Sequence, residues 1–240
     1  MGKHKKSLSL FLVFALCVGV ASSAIATESG DTAPGGPPAY EAPSIPVEPS
    51  TPEEPSPWAT ELVYAAIEAG LVPESFQSNY NQTTTRLEFA ALAVLLYETV
   101  TGLEIRTNRS MPFTDTTDMN AIKAAEIGVT KGTGDGTTFS PDLELTREQA
   151  ATMLSRLAEA LEKSLPEEEA TFADVDSVSE YAVEAVGQMQ ATGIMQGFED
   201  NTFAPRSPYT RQQSIMTIMR LFNVLEQDEE PTPDEEAAQG

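Results

Sequence analysis

Three segments of the chain repeat a threonine followed by an arginine, at Thr85-Arg86, Thr146-Arg147 and Thr210-Arg211. Each pair opens an apolar stretch with the three- and four-residue spacing of a helix. The arginines are separated by 61 and 64 residues, which indicates one structural unit used three times. Because arginine carries a planar cation with several hydrogen-bond donors, three copies at equivalent positions could bind anionic groups.

The position of these arginines within their helices is electrostatically unfavourable. Each threonine is predicted to cap a helix start, and Glu88, Gln149 and Gln213 complete the capping boxes three residues later. An arginine in the first turn then faces the positive end of the helix dipole, at a cost of roughly 0.3–1 kcal/mol. One compensation is an anion held by the guanidinium together with the free first-turn amides. The other is an ion pair with an acid of the next repeat, such as Asp115 or Asp174, which would hold the repeats together.

Two aromatic residues occupy matching places in the first and third repeats. Trp58 and Tyr181 each lie 12 residues before the glycine that ends their helix, Gly70 and Gly193. An aromatic repeated near a helix start could stack on a sugar ring, and the alternative is a core residue. The second repeat has no such aromatic, so the three units are not equivalent.

Each repeat reads as a helix, a glycine-ended turn, a loop and a second helix. The second helices carry the clearest apolar stripes, for example Met153, Leu154 and Leu157. Phe139 and Phe203 precede matching loop prolines, and we interpret both rings as core residues. One repeat alone would expose its stripe, so three packed repeats are needed to bury it.

The ends of the chain differ from its middle in composition. Residues 1–26 are predicted to be an export signal, with a basic start, an apolar run at 8–20 and a small-x-small site at 24–26, although an uncleaved anchor is the alternative. Residues 27–57 are predicted to be a disordered proline-rich linker, and residues 227–240 a disordered acidic tail.

Composition excludes several classes of chemistry. The only cysteine and the only histidine, Cys17 and His4, lie in the predicted signal. The exported chain would therefore have no disulfide, thiol nucleophile, histidine base or histidine–cysteine zinc site. The net charge of −23 argues against nucleic acid and anionic membranes as partners. We expect no cofactor, no metal and no membrane contact after signal cleavage.

The order of these motifs resembles the S-layer homology (SLH) domain. The third repeat shows it best, with Phe172-Ala173-Asp174, Tyr181-Ala182, Gly193-Ile194, Phe203-Ala204-Pro205 and Thr210-Arg211. The resemblance implies a mainly α fold in which three helix-loop-helix repeats stand in a pseudo-threefold arrangement around a central helical bundle. The repeats are predicted at residues 58–110, 111–168 and 169–226.

The resemblance also implies a function. It indicates a secreted bacterial protein of the cell wall or surface layer, anchored non-covalently to an acidic, pyruvylated secondary cell-wall polysaccharide. Ligand grooves would lie between repeats. Their predicted binding residues are Arg86, Arg147, Arg211, Trp58 and Tyr181.

Other functions stay open at this level. An exported structural or protein-interaction module without a glycan ligand is the main alternative, with the linker or the acidic tail contacting a protein partner. A carboxylate-based glycosidase would need two carboxylates at a defined separation, and no such pair stands out. We therefore expect that the chain is not an enzyme.

Overall fold

Six α-helices form the framework of the structure, a computed structural model that describes residues 53–107 and 112–227. The predicted signal, the linker before residue 53 and the acidic tail after residue 227 lie outside the described residues. The described residues contain no β-strand, only isolated bridges between loops. The helices are α1 Thr60–Glu68, α2 Arg86–Thr101, α3 Met119–Glu126, α4 Arg147–Ala160, α5 Val183–Ala191 and α6 Arg211–Glu226, with short 3-10 helices at Glu74–Phe76, Val175–Ser177 and Glu180–Ala182.

The long helices begin where the repeated motif predicts. Thr85 and Thr146 are N-caps with extended backbone, and their side-chain oxygens accept hydrogen bonds from the amides of Glu88 and Gln149. The amide of Thr210 donates to the side-chain oxygen of Gln213 at 2.9 Å. The capping boxes therefore fix the first residue of α2, α4 and α6, which is the arginine in each case.

The helices pack in a closed cycle. The long helices α2, α4 and α6 contact one another and form a central bundle. Each short helix packs on the long helix of the repeat before it, so that α3 lies on α2 and α5 lies on α4. The cycle closes because α1, the first helix, packs on α6, the last one. The mainly α fold predicted from the sequence is confirmed.

A ring of three backbone hydrogen bonds joins the repeats just before their long helices. The amide of Thr84 donates to the carbonyl of Tyr209 at 2.8 Å, that of Tyr209 to Leu145 at 3.0 Å, and that of Leu145 to Thr84 at 2.9 Å. Each of these residues directly precedes an N-cap threonine. The ring therefore sets the three helix starts side by side.

The core is built from the apolar faces of the bundle and from rings supplied by the loops. Phe139 and Phe203 are fully buried, which confirms their predicted place in the core. Their rings lie 5.3 Å from those of Phe113 and Phe172 respectively, within the range of favourable aromatic pairs. Each loop is thus held under its own repeat by a pair of phenylalanines.

Trp58 and Tyr181, which the sequence predicts near helix starts, lie just outside those helices. Trp58 is in a turn two residues before α1, and Tyr181 is in a 3-10 helix that leads into α5. Their side chains are 59% and 57% exposed, so neither is the core residue that the sequence left as an alternative.

None of the helices in the described ranges is long and apolar enough to cross a membrane.

The loop of the third repeat offers a matched test of core packing. Phe203→Ala removes a fully buried ring and should lower the free energy of unfolding by about 3–5 kcal/mol. Phe198→Ala, in the same loop, removes a half-exposed ring stacked on Arg147 and should cost only about 0.5–1 kcal/mol. Denaturant unfolding of both variants measures the difference, and equal losses would contradict this description of the core.

Candidate functional site

The three repeated arginines are buried at the junctions between repeats. Arg86, Arg147 and Arg211 are 7%, 5% and 9% exposed, and each is the first residue of its long helix. From there each side chain reaches into the loop of the next repeat in the cycle. The guanidinium groups therefore link the repeats as well as lining the junctions.

Arg147 is held by carbonyl oxygens and aromatic rings. Its Nε donates to the carbonyl of Phe203 at 2.7 Å, and its Nη2 donates to that of Gln196 at 2.9 Å. The guanidinium carbon lies 4.9 Å from the ring centroid of Phe198 and 4.8 Å from that of Phe203. These partners attract the cation, but none of them carries a negative charge.

Arg86 has a closely similar environment. Its Nε donates to the carbonyl of Phe139 at 2.9 Å, its Nη2 donates to Oγ1 of Thr130 at 3.0 Å, and it lies over the ring of Phe139. Among the described residues neither Arg86 nor Arg147 forms an ion pair.

Arg211 differs because a carboxylate contacts it. Its Nη2 pairs with Oε1 of Glu88, while its Nη1 donates to the carbonyl of Ser78 at 3.2 Å and its guanidinium lies over the ring of Phe76. Of the two compensations considered from the sequence, an ion pair between repeats thus operates at one junction only, and its acid is neither Asp115 nor Asp174.

Asp115 and Asp174 instead accept hydrogen bonds from amides of their own loops. Asp115 accepts hydrogen bonds from the amides of Phe139 and Ser140, and Asp174 accepts them from Phe203 and Ala204. The bond from Phe139, followed by that from Ser140, lowers the pKa of Asp115. Both carboxylates therefore shape the loops whose carbonyls receive the arginines.

The first two amides of each long helix are not free for an anion, which corrects one expectation. In α4 the amide of Arg147 donates to the carbonyl of Ser207 at 3.1 Å, and that of Glu148 donates to Pro205 at 2.9 Å. An anion at these junctions would therefore not be bound by these amides. The corresponding acceptors are Leu143 and Pro141 for α2, and Gln82 and Tyr80 for α6.

Burial lowers the pKa of both Arg147 and Arg220 from their ordinary values, yet arginine stays protonated in proteins. Arg220 lies on α6, nine residues after Arg211, and donates to the carbonyl of Ile194 at 3.2 Å. Arg156 lies on α4, nine residues after Arg147. Burial lowers the pKa of Arg86, and the charge of Arg156 lowers it further.

The sequence reasoning missed Arg156 and Arg220 as members of these junctions. Aligning the repeats on the threonine–arginine pair places both at the same offset along α4 and α6, whereas the first repeat has Leu95 there. That alignment was the available signal. It shows that the second and third repeats carry an additional arginine at this offset and that the first repeat carries a leucine.

A groove of about 630 Å³ opens beside Arg147. Arg147 and Arg220 supply its cations, and Trp58 and Phe198 supply exposed aromatic rings. The groove thus brings the first repeat, the start of α4 and the third repeat together. Its other lining residues are Met195, Gln196, Gly197, Glu199, Tyr209, Gln213, Met216 and Thr217.

Tyr181 lies at the junction of Arg86. Its hydroxyl donates to Oε1 of Glu148 at 3.2 Å, and Glu148 is also held by the amide and hydroxyl of Ser179. Burial of the hydroxyl, followed by the charge of Glu148, raises the pKa of Tyr181 to about 12. The structure therefore separates the five predicted site residues: Arg147 with Trp58, Arg86 with Tyr181, and Arg211 with Glu88.

Comparison with known proteins relates the repeats to a family of domains. Residues 112–151 and 171–213 each match the sequence model of the S-layer homology domain. The chain therefore contains S-layer homology domains in these two segments. Domains of this kind generally bind cell-wall polysaccharide, and their presence indicates a secreted protein of the cell wall or cell surface.

Relatives of the chain are much longer bacterial proteins. An endoglucanase of Bacillus sp. (strain KSM-635) is 37% identical over 50% of this chain. An exoglucanase XynX of Acetivibrio thermocellus and a surface-layer 125 kDa protein of Lysinibacillus sphaericus are 29% and 28% identical, each over 69% of this chain. The chain spans only 13%, 15% and 14% of these three relatives.

The groove floor gives a pH-dependent prediction. Tyr209 is fully buried, and burial raises its pKa to about 12, whereas an unfolded tyrosine ionises near 10. Its stabilising contribution is therefore complete below about pH 10 and is lost as the pH rises from about 10 to 12.

The Tyr209→Phe variant tests this contribution. It should lose less unfolding free energy across that pH window than the wild type does, as measured by denaturant unfolding at several pH values. Tyr64→Phe changes an exposed tyrosine and serves as the control. Parallel losses in the wild type and Tyr209→Phe would contradict the assignment.

Proposed function

We propose that this protein attaches to the cell surface by holding an acidic, pyruvylated secondary cell-wall polysaccharide in the grooves between its repeats. The observation that carries the proposal is the groove at Arg147, where two arginines and two exposed aromatic rings line one cavity. We infer further that residues 58–110, the first repeat, are a domain of the same kind, although they lie outside both matched segments.

The chemistry of the groove suits an acidic sugar. The exposed face of Trp58 offers an apolar platform for a sugar ring, and the cations of Arg147 and Arg220 attract a carboxylate. Both arginines are partly desolvated, so their interaction with an anion is stronger than in bulk water. A neutral polysaccharide would use the aromatic platform but leave both cations uncompensated.

The same features support a binding role rather than catalysis. Glycoside hydrolysis requires two carboxylates flanking the bond that is broken. Among the described residues that line the groove, Glu199 is the only carboxylate. The endoglucanase and exoglucanase names belong to proteins of which this chain matches a small part, and we infer that this chain supplies attachment.

Sedimentation with purified cell walls tests the proposed function. The protein should sediment with walls that retain their secondary polymer and stay in solution with walls from which that polymer has been removed. Equal sedimentation with both preparations would overturn the proposal. Binding that ignores the polymer and disappears at moderate salt would instead favour the protein-interaction module considered from the sequence.

A pair of exposed aromatics in the first repeat tests the groove itself. Trp58→Ala should weaken wall binding by about tenfold, because stacking on an exposed ring contributes on the order of 1 kcal/mol. Its melting temperature should change little, since the ring is mostly exposed. Tyr64→Ala removes another exposed ring from α1, outside the groove residues, and should bind as the wild type does. Equal binding by all three proteins would exclude Trp58 from the site.

A further inference from the structure

The first and third repeats present their exposed aromatic ring on the same short turn. Its sequence is serine-x-aromatic-alanine, at residues 56–59 and 179–182. In both turns the alanine amide donates to the serine carbonyl at 2.8 Å, so the turn closes around the aromatic residue. Trp58 and Tyr181 are more than half exposed, so packing holds only part of each ring. The placement of the rings therefore depends on the backbone of the turn.

A buried polar side chain of the preceding long helix holds each turn. In α6 it is Gln212, whose Oε1 accepts from the amide of Ser56 at 2.9 Å and whose Nε2 donates to Oγ of Ser56 at 3.1 Å. In α4 it is Glu148, whose Oε2 accepts from the amide of Ser179 at 2.9 Å and whose Oε1 accepts from its hydroxyl at 2.9 Å. Gln212 and Glu148 are 3% and 5% exposed, and each is the second residue of its helix. Each serine is thus fixed by two hydrogen bonds to a helix start.

The second repeat, which has no such aromatic, begins its first helix differently. The second residue of α2 is the apolar Leu87. The helix α3 has a cap of its own, Asp118, whose carboxylate accepts from the amide of Asn120 at 2.8 Å. The caps of α1 and α5 are Ala59 and Ala182, whose methyl groups cannot accept a hydrogen bond. A polar second residue therefore precedes the repeats with an exposed aromatic, and a local cap replaces it in the repeat without one.

The rings held in this way lie at the junction cations. Trp58 lines the groove of Arg147 and Arg220, and Tyr181 lies at the junction of Arg86. Because Arg220 and Gln212 are both on α6, one helix supplies a cation of the groove and the side chain that holds its ring. Gln212 is almost fully buried, so it acts through the turn and not by touching a ligand.

We propose that Gln212 is a positioning residue for the glycan, because it keeps Trp58 in place at the groove of Arg147 before the sugar binds. Glu148 holds Tyr181 at the junction of Arg86 in the same way. The inference rests on the proposed function. A ring that is already ordered loses little conformational entropy on binding, so the hydrogen bonds to the serine contribute to affinity for the ligand.

The fluorescence of Trp58 reports the order of this ring alone, because it is the only tryptophan of the chain. Gln212→Leu removes both bonds to Ser56 and introduces the residue that α2 has at its second position, so a long helix of this fold accommodates it. We expect a larger fast component in the anisotropy decay than in the wild type. Binding to walls that retain their secondary polymer should weaken by about three- to tenfold, the cost of ordering one side chain.

Gln212→Glu is the conservative variant, since Glu148 holds Ser179 with a carboxylate. The exposed Asn81 accepts from Nε2 of Gln212 at 2.7 Å and can rotate its amide to donate to that carboxylate. This variant should keep the ring order and the wall binding of the wild type. Gln82→Ala, which removes an exposed amide side chain, is the control for both measurements.

Far-UV circular dichroism checks that Gln212→Leu is folded at the assay temperature. Should it unfold, Ser56→Ala takes its place, because it keeps the backbone bond to Gln212 and loses the hydroxyl bond. It should show the same two changes to a smaller extent.

An unchanged anisotropy decay in the folded variant would overturn the positioning role. Weaker wall binding with an unchanged decay would also overturn it, and so would a mobile ring with undiminished binding. The proposed function fails by a different result, in which the wild type does not distinguish walls with and without their secondary polymer. The anisotropy of the free protein does not depend on that result.

Discussion

The fold depends on hydrogen bonds between the start of each long helix and the loop of the next repeat. The ring of hydrogen bonds through Thr84, Leu145 and Tyr209 joins the three repeats one residue before their caps. The first two amides of every long helix then donate to carbonyls in the next loop. Because an unpaired buried amide is costly, these bonds fix the distance and the rotation between repeats. The three helix starts, and the arginines on them, therefore meet at junctions that no single repeat possesses.

Contacts with the loop of the next repeat also offset the unfavourable interaction of each arginine with its own helix dipole. A cation at the first helical position is disfavoured by the backbone of its own helix. At Arg86 and Arg147 the opposing attraction comes from carbonyl oxygens and ring faces of the next loop, which attract the charge without neutralising it. The repeats are thus held together by cations that keep their long-range field. A structural role and the proposed binding role therefore coincide in the same side chains.

Local sequence signals predicted the elements well, because capping boxes, apolar stripes and loop phenylalanines act within one repeat. Thr146, Gln149 and Phe139 all have the roles that their types and spacing indicate. The partners of the arginines could not be read in this way, because they are backbone carbonyls of another repeat. Asp115 was a reasonable partner by charge, but its carboxylate is taken by amides of its own loop. The charge of a residue does not reveal whether its carboxylate already accepts hydrogen bonds from backbone amides.

Repetition with small departures explains how one fold yields unequal grooves. The cap requires a single acceptor oxygen at the third helical position, so glutamate and glutamine both satisfy the cap. The junction distinguishes them, because only glutamate has a second acceptor for the arginine of the previous repeat. The charge at this position therefore matters to the contact between repeats and not to the cap. An ion pair at one junction and glutamines at the equivalent positions of the other two long helices are thus compatible with the same hydrogen-bonded ring.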